Sequence, residues 1–209
     1  MRYRLVIFDF DGTLADSFPW FVRVFNEAAD RYRFRRIREG ELEELRGLGG
    51  REIVRRLGVP AWKLPLIARH MRRLAARDID TVSLFPGVDP LLRRLSDAGV
   101  VLAVVSSNGY GNVSRVLGPE NVARIHHFRC GASLFGKAAS FRRVLRRSGV
   151  APGEALAVGD EIRDLEAARA VGIPFGAVSW GYTTAGALRA HGPALSFDRV
   201  EAIAEGVLG

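Results

Sequence analysis

Two kinds of hydrophobic pattern alternate along this chain. Short apolar runs, of which Leu5-Val6-Ile7-Phe8 is the first, are typical of strands buried on both faces of a parallel sheet. Between them, apolar residues recur at the spacing of amphipathic helices. Further strands are predicted at 100–105, 128–130, 155–158 and 175–178, with helices ending near 98 and at 112–117, 137–147, 161–171 and 199–207. This alternation predicts an α/β fold with a doubly wound parallel sheet.

The stretch that follows the first strand has a different pattern. From residue 16 to residue 82 no strand pattern occurs, and a helix is predicted from Phe18, with Asp16 or Ser17 as its N-terminal cap. Further helices are predicted at 39–46, 51–57 and 61–77, separated by glycine and proline. The sequence therefore predicts an α/β core formed by residues 1–15 and 83–209, and a helical insert formed by residues 16–82.

Composition narrows the class of protein. The chain has 209 residues, of which 48% are hydrophobic, enough for one well-buried core with an insertion. No apolar stretch reaches the roughly 18 residues of a membrane span, and no signal peptide is expected before the first strand. A cytoplasmic protein without a membrane partner is therefore expected. Cys130 is the single cysteine, which excludes an intramolecular disulfide.

The charge pattern bears on the partners. The formal net charge is +8, and all the basic residues except Lys63 and Lys137 are arginines spread along predicted helices. This distribution favours solvated helix faces over a nucleic-acid surface, so no nucleic-acid partner is expected. A general positive field would instead attract small anionic substrates.

Two carboxylates follow the first apolar strand. Asp9 and Asp11 are two residues apart, so they project to the same side of an extended chain, and Gly12 permits a sharp turn. Ligands of parallel sheets bind beyond the carboxyl ends of the strands, where these carboxylates lie. A calcium loop is the alternative, but it requires further oxygen ligands and a closing Glu, whereas Leu14 and Ala15 follow here.

Other predicted strands also end in polar residues. Ser106, Ser107 and Asn108 follow the second strand and suit an anionic oxygen, while Lys137 opens a helix and supplies a point charge. A fourth strand runs into Gly159-Asp160, and Asp164 lies one helical turn further on. Acid pairs from two strand ends would repel unless a divalent cation with oxygen ligands lay between them, and Mg²⁺ is the natural candidate.

These motifs, in this order, resemble the haloacid dehalogenase superfamily. The resemblance covers essentially the whole chain and is nearest to the phosphoglycolate-phosphatase-like branch, in which a helical insert after the first motif forms the cap. It rests on Asp9-Phe10-Asp11-Gly12-Thr13, on Ser106-Ser107-Asn108, on Lys137, and on Gly159-Asp160 with Asp164.

The resemblance implies a catalytic mechanism. Asp9 would attack phosphorus and form an aspartyl phosphate, while Asp11 would protonate the leaving oxygen and then activate water. It places Mg²⁺ on the Asp9 carboxylate, the Asp11 backbone carbonyl and the Asp160 carboxylate. Asp164 would hold a metal-bound water or Lys137.

The resemblance also suggests how substrate is bound. Ser106, with Ser107, Asn108 and nearby N–H groups, would hold the phosphoryl oxygens. Arg51, in a turn of the helical insert, could pair with a carboxylate or second phosphate of the substrate. An arginine exposed to water at a helix start remains the alternative for Arg51.

Three functions stay open at this point. The leading prediction is a Mg²⁺-dependent phosphatase acting on a small phosphorylated metabolite such as 2-phosphoglycolate. A sugar-phosphate mutase has the same Asp pair, and a catalytically silent binding protein would keep the fold without activity. The chain is expected to be a monomer or a homodimer.

Overall fold

Six parallel strands form the central sheet. The computed structural model describes residues 1–38, 40–131 and 136–209. Within these residues the strand order is β3-β2-β1-β4-β5-β6, so the chain winds outward from β1 in both directions. The strands are β1 Leu5–Phe8, β2 Val101–Val105, β3 His127–Arg129, β4 Ala155–Gly159, β5 Phe175–Val178 and β6 Leu195–Phe197. The predicted doubly wound α/β fold is confirmed.

Helices cover both faces of this sheet and also form the insert. In the insert they are α1 Phe18–Tyr32, α2 Leu42–Arg46, α3 Gly50–Arg56 and α4 Leu64–Arg77. In the core they are α5 Val88–Asp97, α6 Tyr110–Arg124, α7 Lys137–Ser148, α8 Ile162–Arg169, α9 Ala185–Ala190 and α10 Glu201–Leu208. Short 3₁₀ helices occur at Ala61–Lys63, Ile79–Thr81 and Pro152–Glu154.

The central sheet divides the hydrophobic core into two halves, and the side chains of β1 contribute to both. Val6 and Phe8 pack on one face with residues of α5, α6 and α10, and Leu5 and Ile7 pack on the other with α7 and α8. All four side chains are fully buried, each worth about 1.5–3 kcal/mol of hydrophobic stabilisation. Ile7 is in register with Ala103 of β2 and Ala157 of β4. The carboxyl ends of these three strands therefore lie side by side.

The two chain segments that join the insert to the core run antiparallel. The Asp16 N–H donates to the Ser83 carbonyl, and the Phe85 N–H donates to the Leu14 carbonyl, each at 2.9 Å. Ala15 and Leu84 form the bridge between them. The insert thus leaves and re-enters the core at one place, next to the Asp9–Thr13 motif. The exact boundaries of the insert, 16–82, stay a prediction.

Two elements of the core were not predicted. The sequence pattern predicted neither a helix nor a strand between β5 and residue 199, where the structure has α9 and β6. Helix α9 has six residues with Leu188 as its buried one, too few to establish a helical period. In β6, Phe197 is buried and Ser196 is exposed, so this short edge strand lacks the continuous apolar run of an inner strand.

The predicted bounds of other elements also differ from the structure. Helix α6 extends to Arg124, well beyond the predicted 117, because the chain kinks at Gly118, with φ of 73°, and continues after Pro119. Ser17 is the N-cap residue of α1, but its side chain does not cap the helix. The start of the helix predicted at 39–46 lies outside the described residues, and α2 begins at Leu42. In the described part of the chain, no helix is both long and apolar enough to cross a membrane.

Candidate active site

Lys137 lies between two buried carboxylates. It begins α7, and its Nζ is 2.7 Å from Asp9 Oδ2 and 2.6 Å from Asp164 Oδ1. Burial disfavours the charge of Lys137, but the negative charges of Asp164 and Asp9 outweigh it and raise the pKa of Lys137 to about 12. The lysine therefore stays protonated. It links Asp9, which begins the Asp9–Thr13 motif, to Asp164 in α8.

Asp9 follows β1 directly and is almost fully buried. Burial by itself would raise the pKa of Asp9, but the charges of Lys137 and Arg163 hold that pKa below its ordinary value. The Asp9 N–H donates to the Val158 carbonyl at 2.9 Å, which extends the pairing of β1 with β4. Asp9 is thus an ionised carboxylate on a rigid strand end, as a nucleophile requires.

Asp11 has a different environment, although it is only two residues away. Burial and the nearby charge of Asp9 raise the pKa of Asp11 to about 6, against weaker hydrogen bonds from Ser17 and Asn108. The Asn108 Nδ2 lies 3.3 Å from Asp11 Oδ2. Two neighbouring carboxyls are thereby driven toward opposite protonation states, the arrangement that suits one nucleophile and one general acid.

Asp160 lies at the end of β4 and is enclosed by the chain. Its Oδ1 accepts a hydrogen bond from Thr13 Oγ1 and its Oδ2 accepts one from the Tyr182 N–H, both at 2.8 Å. Gly12, with φ of 75°, and Gly181 pack so closely that a Cβ on either would lie 2.2–2.3 Å from an Asp160 atom. Both glycines are required because they leave room for this carboxylate.

Three acids, one that follows β1 and two that follow β4, lie in one cluster. One carboxylate oxygen from each of Asp9, Asp160 and Asp164 lies within 4.8 Å of the other two, and all three residues are buried. Burial and the charges of its acidic neighbours raise the pKa of Asp160 well above its usual value. Burial also raises the pKa of Asp164, against the opposing charge of Lys137. A hard divalent cation would offset this repulsion, so the oxygen donors present fit Mg²⁺.

Of the polar residues after β2, Asn108 contacts Asp11 of the Asp9–Thr13 motif. Ser106 is fully buried, and its Oγ accepts a hydrogen bond from the Asn108 N–H at 3.0 Å. The Asn108 Oδ1 accepts hydrogen bonds from the Gly109 N–H and from Asn112 Nδ2, both at 2.9 Å. Ser107 is partly exposed. The structure thus orients Asn108 toward Asp11 and holds Ser106 inside the turn.

Arg51 lies at the edge of this site. Its side chain is exposed, and it lines a cavity of about 240 Å³ together with Lys137, Arg163 and Glu166. The cavity therefore has three cationic side chains and one carboxylate, and it adjoins the lysine that contacts Asp9. This placement is compatible with an anionic group of a substrate.

Several residues of the site were not singled out from the sequence. Arg163 is ion-paired with Glu161 and acts electrostatically on Asp9, and its place between Asp160 and Asp164 could have drawn attention to it. Thr13 was noted only as part of the motif. Tyr182 lies outside the motifs, and its N–H binds Asp160.

The sequence is similar to those of known proteins. The family model described as haloacid dehalogenase-like hydrolase matches residues 6–178. A phosphoglycolate phosphatase of Synechococcus elongatus is 34% identical over 180 residues, covering 86% of this chain and 85% of that protein. Tyrosine-protein kinase PtkA of Mycobacterium tuberculosis is 33% identical over 184 residues, covering 86% of this chain but 63% of that protein.

A solved structure has the same fold. The haloacid dehalogenase-like family hydrolase of Streptococcus pneumoniae aligns over 98% of both chains with a TM-score of 0.78 and 20% sequence identity. The predicted resemblance to the phosphoglycolate-phosphatase-like branch is confirmed by the family match and by the relatives. This chain belongs to the haloacid dehalogenase-like hydrolase family.

Proposed function

We propose that this protein is a Mg²⁺-dependent phosphatase that hydrolyses a small phosphate monoester, such as 2-phosphoglycolate, through an aspartyl-phosphate intermediate. The broader prediction, a phosphoric monoester hydrolase, is confirmed by the family match and by the phosphatases among the relatives. The single observation that carries the finer proposal is the ionised Asp9, held 2.7 Å from the ammonium of Lys137 beside two further acids.

Two carboxyls would carry the covalent chemistry. An oxygen of Asp9 would attack phosphorus, and the bond from phosphorus to the substrate's ester oxygen would break as the new one forms. Asp11, whose pKa of about 6 gives it a larger protonated fraction near neutral pH than an ordinary Asp has, would give its proton to the departing oxygen. The deprotonated Asp11 would then accept a proton from the water that hydrolyses the aspartyl phosphate, which restores both residues.

The remaining site residues would stabilise charge. Carboxylates of Asp9 and Asp160 and the backbone carbonyl of Asp11 would hold Mg²⁺, whose chemistry here is to neutralise negative charge on the phosphoryl oxygens. Lys137 would act on the same oxygens, and Asp164, 2.6 Å from its Nζ, would keep the ammonium in place.

Substrate would be held from two sides. Ser106, Ser107 and Asn108 would donate hydrogen bonds to the phosphoryl oxygens, since they follow the strand next to Asp9. Arg51 would contact the far end of the substrate through the cavity that it shares with Lys137. The guanidinium of Arg51 in this lining supports a substrate with a carboxylate or second phosphate. A cytoplasmic location and a monomeric or homodimeric state are part of the same proposal.

Released phosphate tests the proposed function. Purified protein is expected to release inorganic phosphate from 2-phosphoglycolate and from p-nitrophenyl phosphate when Mg²⁺ is present, and to lose this activity when EDTA removes the ion. Because Arg51 would pair with its carboxylate, 2-phosphoglycolate is expected to have the lower KM. An isomerised phosphate ester as the product would identify a mutase instead, and no turnover of any phosphorylated metabolite would favour a silent binding protein.

The two proposed roles of Asp11 predict a kinetic burst in Asp11→Asn. p-Nitrophenolate leaves without a proton, so the first step should survive, whereas the second step loses its general base. We expect about one equivalent of p-nitrophenol per active site, followed by steady-state turnover that is roughly 10²–10⁴ times slower than wild type. Stopped-flow absorbance measures both phases. The exposed Asp16→Asn is the matched control and should keep wild-type turnover. Wild-type steady-state turnover in Asp11→Asn would contradict the assignment.

A further inference from the structure

One residue of the helical insert donates hydrogen bonds to the loop that encloses Asp160. Arg46, the last residue of α2, donates from Nη2 to the Gly181 carbonyl at 2.8 Å and from Nε to the Tyr182 carbonyl at 3.1 Å. The Thr184 N–H returns a hydrogen bond to the Arg46 carbonyl at 3.0 Å. The guanidinium thus fixes two consecutive carbonyls of a core loop from the insert.

The guanidinium is itself held in place. Its Nη1 lies 2.6 Å from Glu43 Oε1, one helical turn earlier, and its carbon lies 4.8 Å from the centre of the Phe18 ring. The side chain of Arg46 is mostly buried. A planar fork that donates in fixed directions suits simultaneous contact with two carbonyls, which the compact ammonium of lysine cannot reproduce.

The same loop orients Asp160. The Tyr182 N–H donates to Asp160 Oδ2 at 2.8 Å, and the Thr183 N–H donates to the Asp160 backbone carbonyl at 3.3 Å. Gly181 packs directly on the Asp160 side chain. The two peptide groups that Arg46 fixes by their carbonyls are therefore the same two whose N–H groups bind Asp160.

Tyr182 adds a second link to the insert. Its hydroxyl lies 3.1 Å from Ser17 Oγ, and its ring makes edge contacts with Phe18 and Phe21, at centroid distances of 5.0 and 5.3 Å. Both phenylalanines belong to α1. The position of the insert and the position of the Asp160 carboxylate are thus joined through residues 181–182.

We propose that Arg46 is a positioning residue that couples the seating of the helical insert to the orientation of Asp160, and so to Mg²⁺ binding. This inference rests on the proposed role of Asp160 as a cation ligand. When the insert moves away, the carbonyls of residues 181 and 182 lose their donor and the Tyr182 N–H is no longer held toward Oδ2. The site would then bind Mg²⁺ tightly only when the insert is seated.

Direct measurement of Mg²⁺ binding tests this inference. By isothermal titration calorimetry on the whole chain, Arg46→Ala is expected to raise the Kd for Mg²⁺ about tenfold, a typical effect for groups that orient a metal ligand. Hydrogen exchange at the Tyr182 amide should accelerate in the same variant. Arg55→Ala is the matched control, since Arg55 lies in the insert, is 77% exposed and pairs with Glu52. It should leave Kd and exchange unchanged.

A conservative variant distinguishes the loss of the proposed hydrogen bonds from misfolding of the protein. Arg46→Lys keeps the charge but cannot donate to both carbonyls in one plane, so its Kd should lie between those of wild type and Arg46→Ala. A wild-type Kd in Arg46→Lys, or in a folded Arg46→Ala, would overturn the inference, as would a wild-type chain that binds no Mg²⁺. Absent phosphate release with the Kd shift still present would overturn only the proposed phosphatase function.

Discussion

Replacing Asp9 with Asn is expected to abolish phosphate release. The amide has almost the same shape as the carboxylate but lacks its negative charge and cannot form an aspartyl phosphate. Removing a nucleophile from a site that acts as a unit costs several orders of magnitude, so we expect a fall in kcat of about 10⁴-fold or more. Phosphate release under saturating substrate and Mg²⁺ measures the loss.

Two further measurements make this prediction specific to the nucleophile. Brief mixing of wild type with substrate, followed by acid quenching and mass spectrometry, should reveal a phosphoryl adduct on the peptide that contains Asp9, and Asp9→Asn should lack it. Asp97→Asn, at the exposed end of α5, makes the same chemical change away from the site and should keep full activity. Near-native turnover in a pure Asp9→Asn protein would refute the proposed mechanism.

Replacing Lys137 with Ala is expected to lower both stability and activity. The ammonium lies within 2.7 Å of Asp9 and Asp164, and all three groups are buried. Its removal leaves those carboxylates without their lysine partner, and breaking a buried ion pair in this way typically costs about 3–5 kcal/mol of unfolding free energy. Urea denaturation at neutral pH without added Mg²⁺ measures this cost, and phosphate release from the still-folded fraction should be almost lost.

Lys63 provides the control for this prediction. It is the other lysine of the chain, and its Nζ donates to the Tyr32 carbonyl at 2.6 Å in the helical insert. Its replacement by Ala removes one hydrogen bond and should cost only about 0.5–1.5 kcal/mol, with activity unchanged. An equal loss of stability in both variants, or a fully active Lys137→Ala, would contradict the role assigned to the buried ammonium.

The sequence predicted correctly those elements whose hydrophobic pattern lies within one continuous segment. Strands β1, β2, β4 and β5 are apolar runs flanked by turns, and all were predicted close to their observed bounds. Helix α9 and strand β6 were missed because each is short and has a single buried residue, so that its formation depends on packing against the sheet. Propensity and periodicity are weak signals over so few residues.

The residues of the candidate site show the same contrast between those that the sequence predicts and those that it does not. The carboxyl ends of parallel strands meet at one edge of the sheet, which is why the sequence alone groups Asp9, Asp11 and Asp160. The residues that orient them lie far apart in the chain and carry no motif of their own. Arg46 is separated from Tyr182 by 136 positions, and their hydrogen bond exists only because the insert folds back on the core.

What the amino-acid order alone determined is the set of elements and the types of chemical group at the strand ends, because both follow from local hydrophobic period and turn chemistry. What the tertiary structure decided is the pKa of these groups. Asp9 and Asp11 are the same residue type two positions apart, yet the pKa of Asp9 is lowered and that of Asp11 is raised to about 6. Burial and the placing of Lys137 and Arg163 cause the difference, since charge interactions depend on distances in space that no local pattern contains.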